Sequence, residues 1–260
     1  MPETDLDLLI KAAQASGEIA KTFFQNAPKT WDKDDNAGPV TEADLAVNTY
    51  LEDVLRTARP DYGWLSEESL DEPERQSSEY VFIIDPIDGT RSFIEGSRTW
   101  AHSLAIARDG RITAAAVLLP MRDMMFSAAL DQGALLNGET LRVSSQKGFE
   151  RSEILATRPV LEPHHWSTGT DPQFSRHHRP SLAYRLALIA QGRFDAMLTL
   201  RPSWEWDIAA GALIVSEAGG TISDKTGTAL KFNNVDPRLN GVVAAGPNLH
   251  SEIIGKLAAA

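Results

Sequence analysis

The sequence predicts a mixed α/β protein, α+β by segregation in its first half and alternating in its second. Three observations carry this reading. Two segments with apolar residues at helical spacing open the chain, one with Leu9, Ala12, Ala13, Ser16, Ala20 and Phe23, the other with Val47, Leu51, Val54 and Leu55. Strand-like runs follow at 101–108, 111–119 and 124–130, punctuated by Asp109-Gly110, Pro120 and Asn137-Gly138. From 153 onward strand and helix patterns alternate, and the polar 144–152 stretch between the two regimes divides the chain into halves at 1–148 and 149–260.

The first helix is predicted over 5–25, with Pro28 beyond its end. The polar 29–39 stretch, which contains Lys33 and Asp35, reads as a solvated loop. Thr41 with Asp44 three residues on is a capping box with Asp for Glu, and on local grounds Asp44 is a first-turn partner of the helix dipole. Residues 62–69 form a short apolar run ending in Glu67-Glu68, ahead of a charged stretch at 71–75 that reads as a solvated surface. If that run pairs with the next strand, Glu67 and Asp85 come from neighbouring strand ends.

The next strand enters the stretch that organises the chain. Val81-Phe82-Ile83-Ile84 favours a buried strand, Pro86 is expected to end its ladder, and Gly89 allows a tight turn. Asp85, Asp88 and Thr90 are thereby expected close together. Two carboxylates on one short turn require a proton or a cation between them, and a divalent cation is the expectation.

Within the strand-like runs, His102 reads as a packed or hydrogen-bonded histidine. The 159–180 segment is the least regular of the chain and rich in Pro, His and Arg; adjacent histidines there are expected to point apart, so no zinc site is expected. A strand is predicted at 153–157, a helix over Ser181–Gln191 closed by Gly192, a strand over Phe194–Leu200, a strand over Gly241–Ala245 and a last helix over Asn248–Leu257. The helix after 201–204 carries a small face, Ala209, Ala210, Gly211 and Ala218, that must pack closely on a neighbour, and Gly219-Gly220 ends it. Asp207 lies in its first turn, where unpaired N–H groups already favour a carboxylate.

Composition excludes several classes. The chain has 260 residues and no cysteine, so disulfides, thiolate nucleophiles and cysteine zinc sites are absent. A formal charge of −11 without an offsetting basic stripe argues against a nucleic-acid polymer or an anionic membrane as partner. The opening residues do not resemble a signal peptide and no apolar run approaches ~18 residues, so a cytoplasmic location is expected. There is no P-loop and no dinucleotide fingerprint. The step from Asp85 to Asp88 fits neither a calcium-binding EF-hand loop nor the closer-spaced aspartates of haloacid-dehalogenase phosphatases.

Three motifs in order, Glu67-Glu68-Ser69, Asp85-Pro86-Ile87-Asp88-Gly89-Thr90, and Trp206-Asp207 with Ala210-Gly211 and Glu217-Ala218-Gly219-Gly220, resemble the signatures of the inositol monophosphatase superfamily. With Pro39-Val40-Thr41 to Asp44 and the stretch 244–248, the resemblance covers nearly the whole chain. It implies a layered αβαβα sandwich of the sugar-phosphatase type, a homodimer, and Mg²⁺-dependent hydrolysis of a small phosphorylated metabolite, with the two halves forming one catalytic unit. Carried over residue by residue, it implies that Glu67, Asp85 and the carbonyl of Ile87 hold one ion, that Asp85, Asp88 and Asp207 hold a second, and that Glu67 shares a third. Lys33 and Asp44 match positions near the metals, Asp44 in the catalytic set. The implied chemistry is in-line attack of an activated water on phosphorus, with Glu67 and Thr90 orienting it and taking its proton, and no phosphoenzyme. Gly89 and Thr90 N–H groups, with Asp88, Arg201 and Asp207, are the implied phosphate and substrate contacts.

Inositol monophosphate is the leading substrate on this resemblance. Yet the 198–207 segment has no acid until Glu205, which is out of register with the inositol-binding glutamate of the family, and the inositol-lining Gly-Thr-Ala is altered to Pro180-Ser181-Leu182. Arg185, Arg201 and the arginines of 159–180 could instead meet a second phosphate. A 3'(2'),5'-bisphosphate nucleotidase is therefore the first alternative, and a histidinol-phosphate phosphatase, for which Ser92-Phe93-Ile94 and Gly96 speak, is another. A catalytically idle ligand-binding protein is the reading from a different class, disfavoured because every implied metal carboxylate is present.

Overall fold

The computed structural model describes residues 3–33, 38–170 and 172–258; Asp35 lies outside them. The chain opens with α1 (Asp5–Phe23), a short β1–β2 hairpin (Thr30–Asp32 and Pro39–Thr41) and α2 (Glu42–Ala58). Strands β3 (Gly63–Ser66) and β4 (Tyr80–Asp88), the one-turn helix α3 (Thr90–Ile94), and β5 (Ala101–Arg108), β6 (Arg111–Leu119), β7 (Met124–Ala129), β8 (Ala134–Leu136) and β9 (Glu139–Thr140) complete the first half. After 148 come β10 (Glu153–Ala156), β11 (Ser175–His177), α4 (Leu182–Ala190), β12 (Ala196–Thr199), β13 (Ser203–Trp204), α5 (Glu205–Glu217), β14 (Thr221–Ser223), β15 (Arg238–Leu239), β16 (Val242–Ala245) and α6 (Pro247–Lys256).

Strands β3 to β9 form one sheet in chain order, with β3 and β4 parallel and the rest antiparallel. The meander is the predicted one, and both Asp109-Gly110 and Asn137-Gly138 turn with positive φ at both residues, as two-residue hairpins require. The second sheet has the order β11-β10-β12-β16-β14.

Both faces of each sheet are buried, so strand alternation assigns residues to layers rather than to core and solvent. Phe82, Ile84, Leu104 and Ile106 meet Leu9 and Ala13 of α1 and Val47 and Leu51 of α2. Their alternate neighbours Val81, Ile83 and Ala105 face α4 and α5. Leu155, Met197, Val242 and Ala244 of the smaller sheet close that helical layer from its other side. Ile154, Leu198, Val243 and Ala245 point away from it, onto Leu249 and Ile253 of α6. The result is a five-layer αβαβα sandwich with α4 and α5 as its central layer.

Four local expectations are corrected. Pro86 does not end the strand: β4 continues to Asp88, and the register moves from Asp85↔Ser103 to Asp88↔Ala101. Two residues, Pro86 and Ile87, thus oppose one, His102, and a bulge absorbs the missing N–H. The 29–39 stretch is a short hairpin rather than only a loop, and Lys33 folds inward from it. The 159–180 segment is irregular but carries two 3₁₀ turns and pairs through β11. In the second of those turns, Pro163–His165, successive side chains diverge by a third of a turn rather than a half, and the His164 and His165 rings approach to 3.9 Å between centroids instead of pointing apart. Glu162, His164 and His165 can place ligand atoms within 4.8 Å of one another on an exposed surface.

Candidate active site

Each predicted acidic residue is delivered by the end of an element. Glu67 follows β3, and its N–H donates to the carbonyl of Ile84 at 3.1 Å, which extends the parallel pairing and sets Glu67 beside Asp85. Asp85 and Asp88 flank the β4 bulge. Thr90 opens α3 behind Gly89, whose φ of +100° only glycine adopts without strain. Asp207 lies in the first turn of α5, and that helix start is tied to the larger sheet by the Ser103 hydroxyl, which donates to the Trp206 carbonyl at 2.8 Å.

Carboxylate oxygens of Glu67, Asp85 and Asp207 come within 4.8 Å of one another. Asp85 is buried, and its Oδ1 has no hydrogen-bond partner among the described residues. Burial, then the neighbouring charges of Glu67, Asp88 and Asp207, hold the Asp85 carboxyl well above the usual range. Burial and the charges of Asp88 and Glu67 do the same to Asp207. Converging, mutually repelling oxygens around an orphaned buried acceptor fit a hard divalent cation.

Asp88 is placed differently from the expectation. Its Oδ2 turns toward the start of α4 and accepts from the Ser181 hydroxyl at 2.6 Å and the Ala183 N–H at 2.7 Å, so Asp88 is not in the tight cluster. Burial raises its carboxyl to about 6 against those two donors. Thr90 also has other partners than expected: its Oγ1 contacts Asp44 Oδ1 and the Ile87 carbonyl, both at 3.1 Å, and among the described residues it makes no hydrogen bond to Glu67. Asp44 accepts from the N–H of Thr41 at 2.9 Å and from its hydroxyl at 2.5 Å, completing the capping box, and burial lifts its carboxyl to about 6. The dipole reading of Asp44 is thus incomplete, since its other oxygen reaches the site.

Sequence reasoning gave too little weight to the pair behind Glu67. Lys33 Nζ lies 2.7 Å from Glu67 and 2.5 Å from Glu68. Burial works against the ammonium, yet the two carboxylates push it up to about 12. Glu68 is half-buried, and desolvation, then the charge of Glu67, raises it to about 7. His102 is hydrogen-bonded as expected, its Nδ1 to the Pro86 carbonyl inside the bulge, and burial takes it down to about 4, so the ring is neutral. Ser181, read from the sequence as the first residue of a helix and as part of the altered Pro180-Ser181-Leu182, is the N-cap of α4.

The site opens into a cleft of about 850 Å³ lined by Glu67, Gly89, Thr90, Arg185, Arg201 and Asp207, among others. The two arginines line the same cleft as the carboxylates, near enough for the charges of Asp88 and Asp207 to act on Arg185. Glu205 is absent from it: the carboxylate accepts from the N–H groups of Asn233 and Asn234 at 2.6 and 2.9 Å, as its wrong register implied.

Comparison with known proteins agrees with this geometry. Residues 1–260 match the profile of the inositol monophosphatase family. The chain is 35% identical over 236 residues to Nus factor SuhB of Pseudomonas aeruginosa, covering 86% of each, and 31% identical over 240 residues to the inositol-1-monophosphatase of Rhizobium meliloti, covering 85% and 86%. Among solved structures it is similar to the Thermotoga maritima IMPase, with a TM-score of 0.81 at 27% identity over 96% of this chain and 95% of that one. The extragenic suppressor protein suhB of Bartonella henselae gives the same score and identity over 96% of both chains.

Proposed function

The chain belongs to the inositol monophosphatase family, a family of phosphatases, and on that premise we propose that it is a Mg²⁺-dependent phosphomonoesterase with inositol monophosphate first among its candidate substrates. The observation that carries this reading is the convergence of the Glu67, Asp85 and Asp207 carboxylates, with Asp85 Oδ1 unpartnered among the described residues, beside a cleft lined by Glu67, Asp207, Gly89 and Thr90. Glu67, Asp85, Asp207, the outward oxygen of Asp88 and the Ile87 carbonyl would hold two or three Mg²⁺. Those ions supply Lewis-acid stabilisation of charge on the phosphoryl and leaving oxygens.

The chain's own groups do the rest. Gly89 and Thr90 N–H groups bind the phosphate, and Asp88 and Asp207, with the ions, fix its orientation. Thr90 Oγ1, with its hydroxyl directed at Asp44 Oδ1, presents a lone pair to the attacking water and passes a proton to Asp44. Burial makes Asp44 a base suited to a site working near neutral pH. Glu67 orients the same water from the other side, and Lys33 fixes Glu67. Halves 1–148 and 149–260 form a single catalytic unit, since Asp207, Ser181 and the arginines come from the second.

The partner we propose is a small phosphorylated metabolite, with a cytoplasmic location and a homodimeric assembly; the formal charge of −11 disfavours a nucleic-acid polymer. Among the described residues no helix is long and apolar enough to cross a membrane. The test is phosphate release from inositol monophosphate, adenosine 3',5'-bisphosphate and histidinol phosphate, with and without Mg²⁺. Release that depends on Mg²⁺ is expected for at least one. No release from any at saturating Mg²⁺ would leave the idle ligand-binding reading in its place.

A further inference from the structure

Arg185 projects from α4 and is 4% exposed. Its guanidinium is held by neutral groups only: Nε donates to the Arg179 carbonyl, and Nη2 lies 2.9 Å from His178 Nε2 and 3.4 Å from the Pro180 carbonyl. No carboxylate among the described residues forms an ion pair with it, whereas the other buried arginine, Arg75 at 2%, is clasped by both oxygens of Asp71 at 2.5 and 2.9 Å. A buried guanidinium without a carboxylate is costly unless something else completes it. Arg201, exposed and lining the same cleft, forms no side-chain hydrogen bond or ion pair among the described residues, although its charge acts on Asp207. Arg176 and Arg179 add positive charge near His178.

Asp88 and Asp207 act on Arg185, and Asp207 on Arg201, through their charge alone, without an ion pair among the described residues. Once that cluster is neutralised by cations, as the proposed activity requires, Arg185 and Arg201 face the cleft uncompensated. A neutral polyol offers them only hydroxyls. Glu205, the acid just before Trp206-Asp207, is buried and consumed by Asn233 and Asn234, which leaves Glu95 as the acid of the cleft lining outside the cation cluster.

We infer that the site favours a phosphate monoester carrying a second anionic group, a phosphate or a carboxylate, over the neutral polyol ester inositol monophosphate, which reorders the candidate substrates above, and that Arg185 and Arg201 bind this second group in the cleft they share with Glu67 and Asp207. The inference rests on the phosphomonoesterase reading for its scissile group. A charge-assisted contact contributes about 1.5–3 kcal/mol, which corresponds to a preference of roughly ten- to a hundredfold.

Two matched pairs test it. Adenosine 3'-monophosphate is compared with adenosine 3',5'-bisphosphate, which adds a phosphate, and glycerol 2-phosphate with 2-phosphoglycerate, which adds a carboxylate. With Mg²⁺ present, the doubly anionic member of at least one pair should have a kcat/KM about tenfold or more higher, mostly through KM, and the preference should shrink as salt is raised. Which pair responds identifies the second anion. Arg201→Gln should bring the ratio within each responding pair toward one. Arg185→Lys, which keeps the charge but loses the planar fork, should lower it in part, with circular dichroism confirming that the buried site still folds. Equal kcat/KM within both pairs, or a preference that both variants leave intact, overturns the inference while the phosphatase reading stands. Absence of release from all four compounds counts against the phosphatase reading instead, and calorimetric titration with the same pairs then reads the anion subsite without turnover.

Discussion

Asp88 commits one oxygen to structure and, in the proposed site, leaves the other for an ion, and that division can be tested. Oδ2 anchors the start of α4 through Ser181 and Ala183, while the other oxygen accepts no hydrogen bond from the described residues. Asp88→Asn should keep the fold, because an amide oxygen can replace Oδ2 as acceptor, and should lose most turnover because a ligand charge is withdrawn from the proposed ion. Initial rates at saturating Mg²⁺ beside a melting curve check this; wild-type rates would contradict the assignment. Ser181→Ala acts one step further out. It removes one of two donors from a buried carboxylate, at about 1–3 kcal/mol, and should raise the Mg²⁺ concentration for half-maximal activity by roughly 10- to 100-fold. An unchanged Mg²⁺ requirement would mean that Asp88 orientation does not depend on Ser181. These contacts were beyond the residue pattern: Ser181 read as the first residue of a helix and as part of the altered Pro180-Ser181-Leu182, and Lys33 as part of a solvated loop that only the family resemblance drew toward the metals, because neither partner is near in the chain.

The helices α4 and α5 must approach closely to place Asp207 and Arg185 on one cleft, and small residues allow it. A Cβ added at Gly211 would lie 2.5 Å from Leu186 Cβ and 2.6 Å from its Cδ1. Gly211→Ala should therefore destabilise the protein by about 1–3 kcal/mol despite the better helix propensity of alanine, lowering Tm by roughly 2–4 °C per kcal/mol. Pairing it with Leu186→Ala, which removes the Cγ and Cδ1 contacts but keeps the Cβ, should give less than the summed loss. Additive losses would place the strain at the Cβ contact alone. The tight face itself was legible from Ala209, Ala210, Gly211 and Ala218, though not its partner. Long periodic elements were legible for the same reason: α1, α2 and β5 to β7 each repeat their pattern over enough residues to declare a face. Strands β1, β2 and β14 have three residues each, too few for any period, and were not. Pro86 misled because proline ends a ladder only when the partner strand cannot bulge around it, and β5 lets it do so.

At the scale of the whole molecule, five layers gather Glu67, Asp85 and Asp207, from three elements, into one cluster with the buried Asp88 beside it, which sets a pH dependence of opposite sign to that of paired surface acids. Asp85 and Asp207 are raised well above the ordinary aspartate value, and Asp88 to about 6, by burial and mutual repulsion. Without metal, the native state therefore holds more protons than the unfolded chain as pH rises from about 4, and stability must fall with pH. The stabilisation is complete below the unfolded value near 4 and is lost as pH passes through the raised native values, at about 1.4 kcal/mol for each pH unit that separates the native value from the unfolded one. Metal-free protein in chelator should thus melt at lower temperature at pH 7 than near pH 5. Added Mg²⁺ should raise Tm more at pH 7, where it need not displace protons, than at pH 5. Asp85→Asn separates this from general charge repulsion: it should stabilise the metal-free protein at pH 7, flatten its pH profile and abolish most of the Mg²⁺ effect on Tm. A variant that instead destabilises the metal-free protein at pH 7 would show that Asp85 is supported by the fold rather than strained by it, and the case for a cation at its unpartnered oxygen would fall with that result.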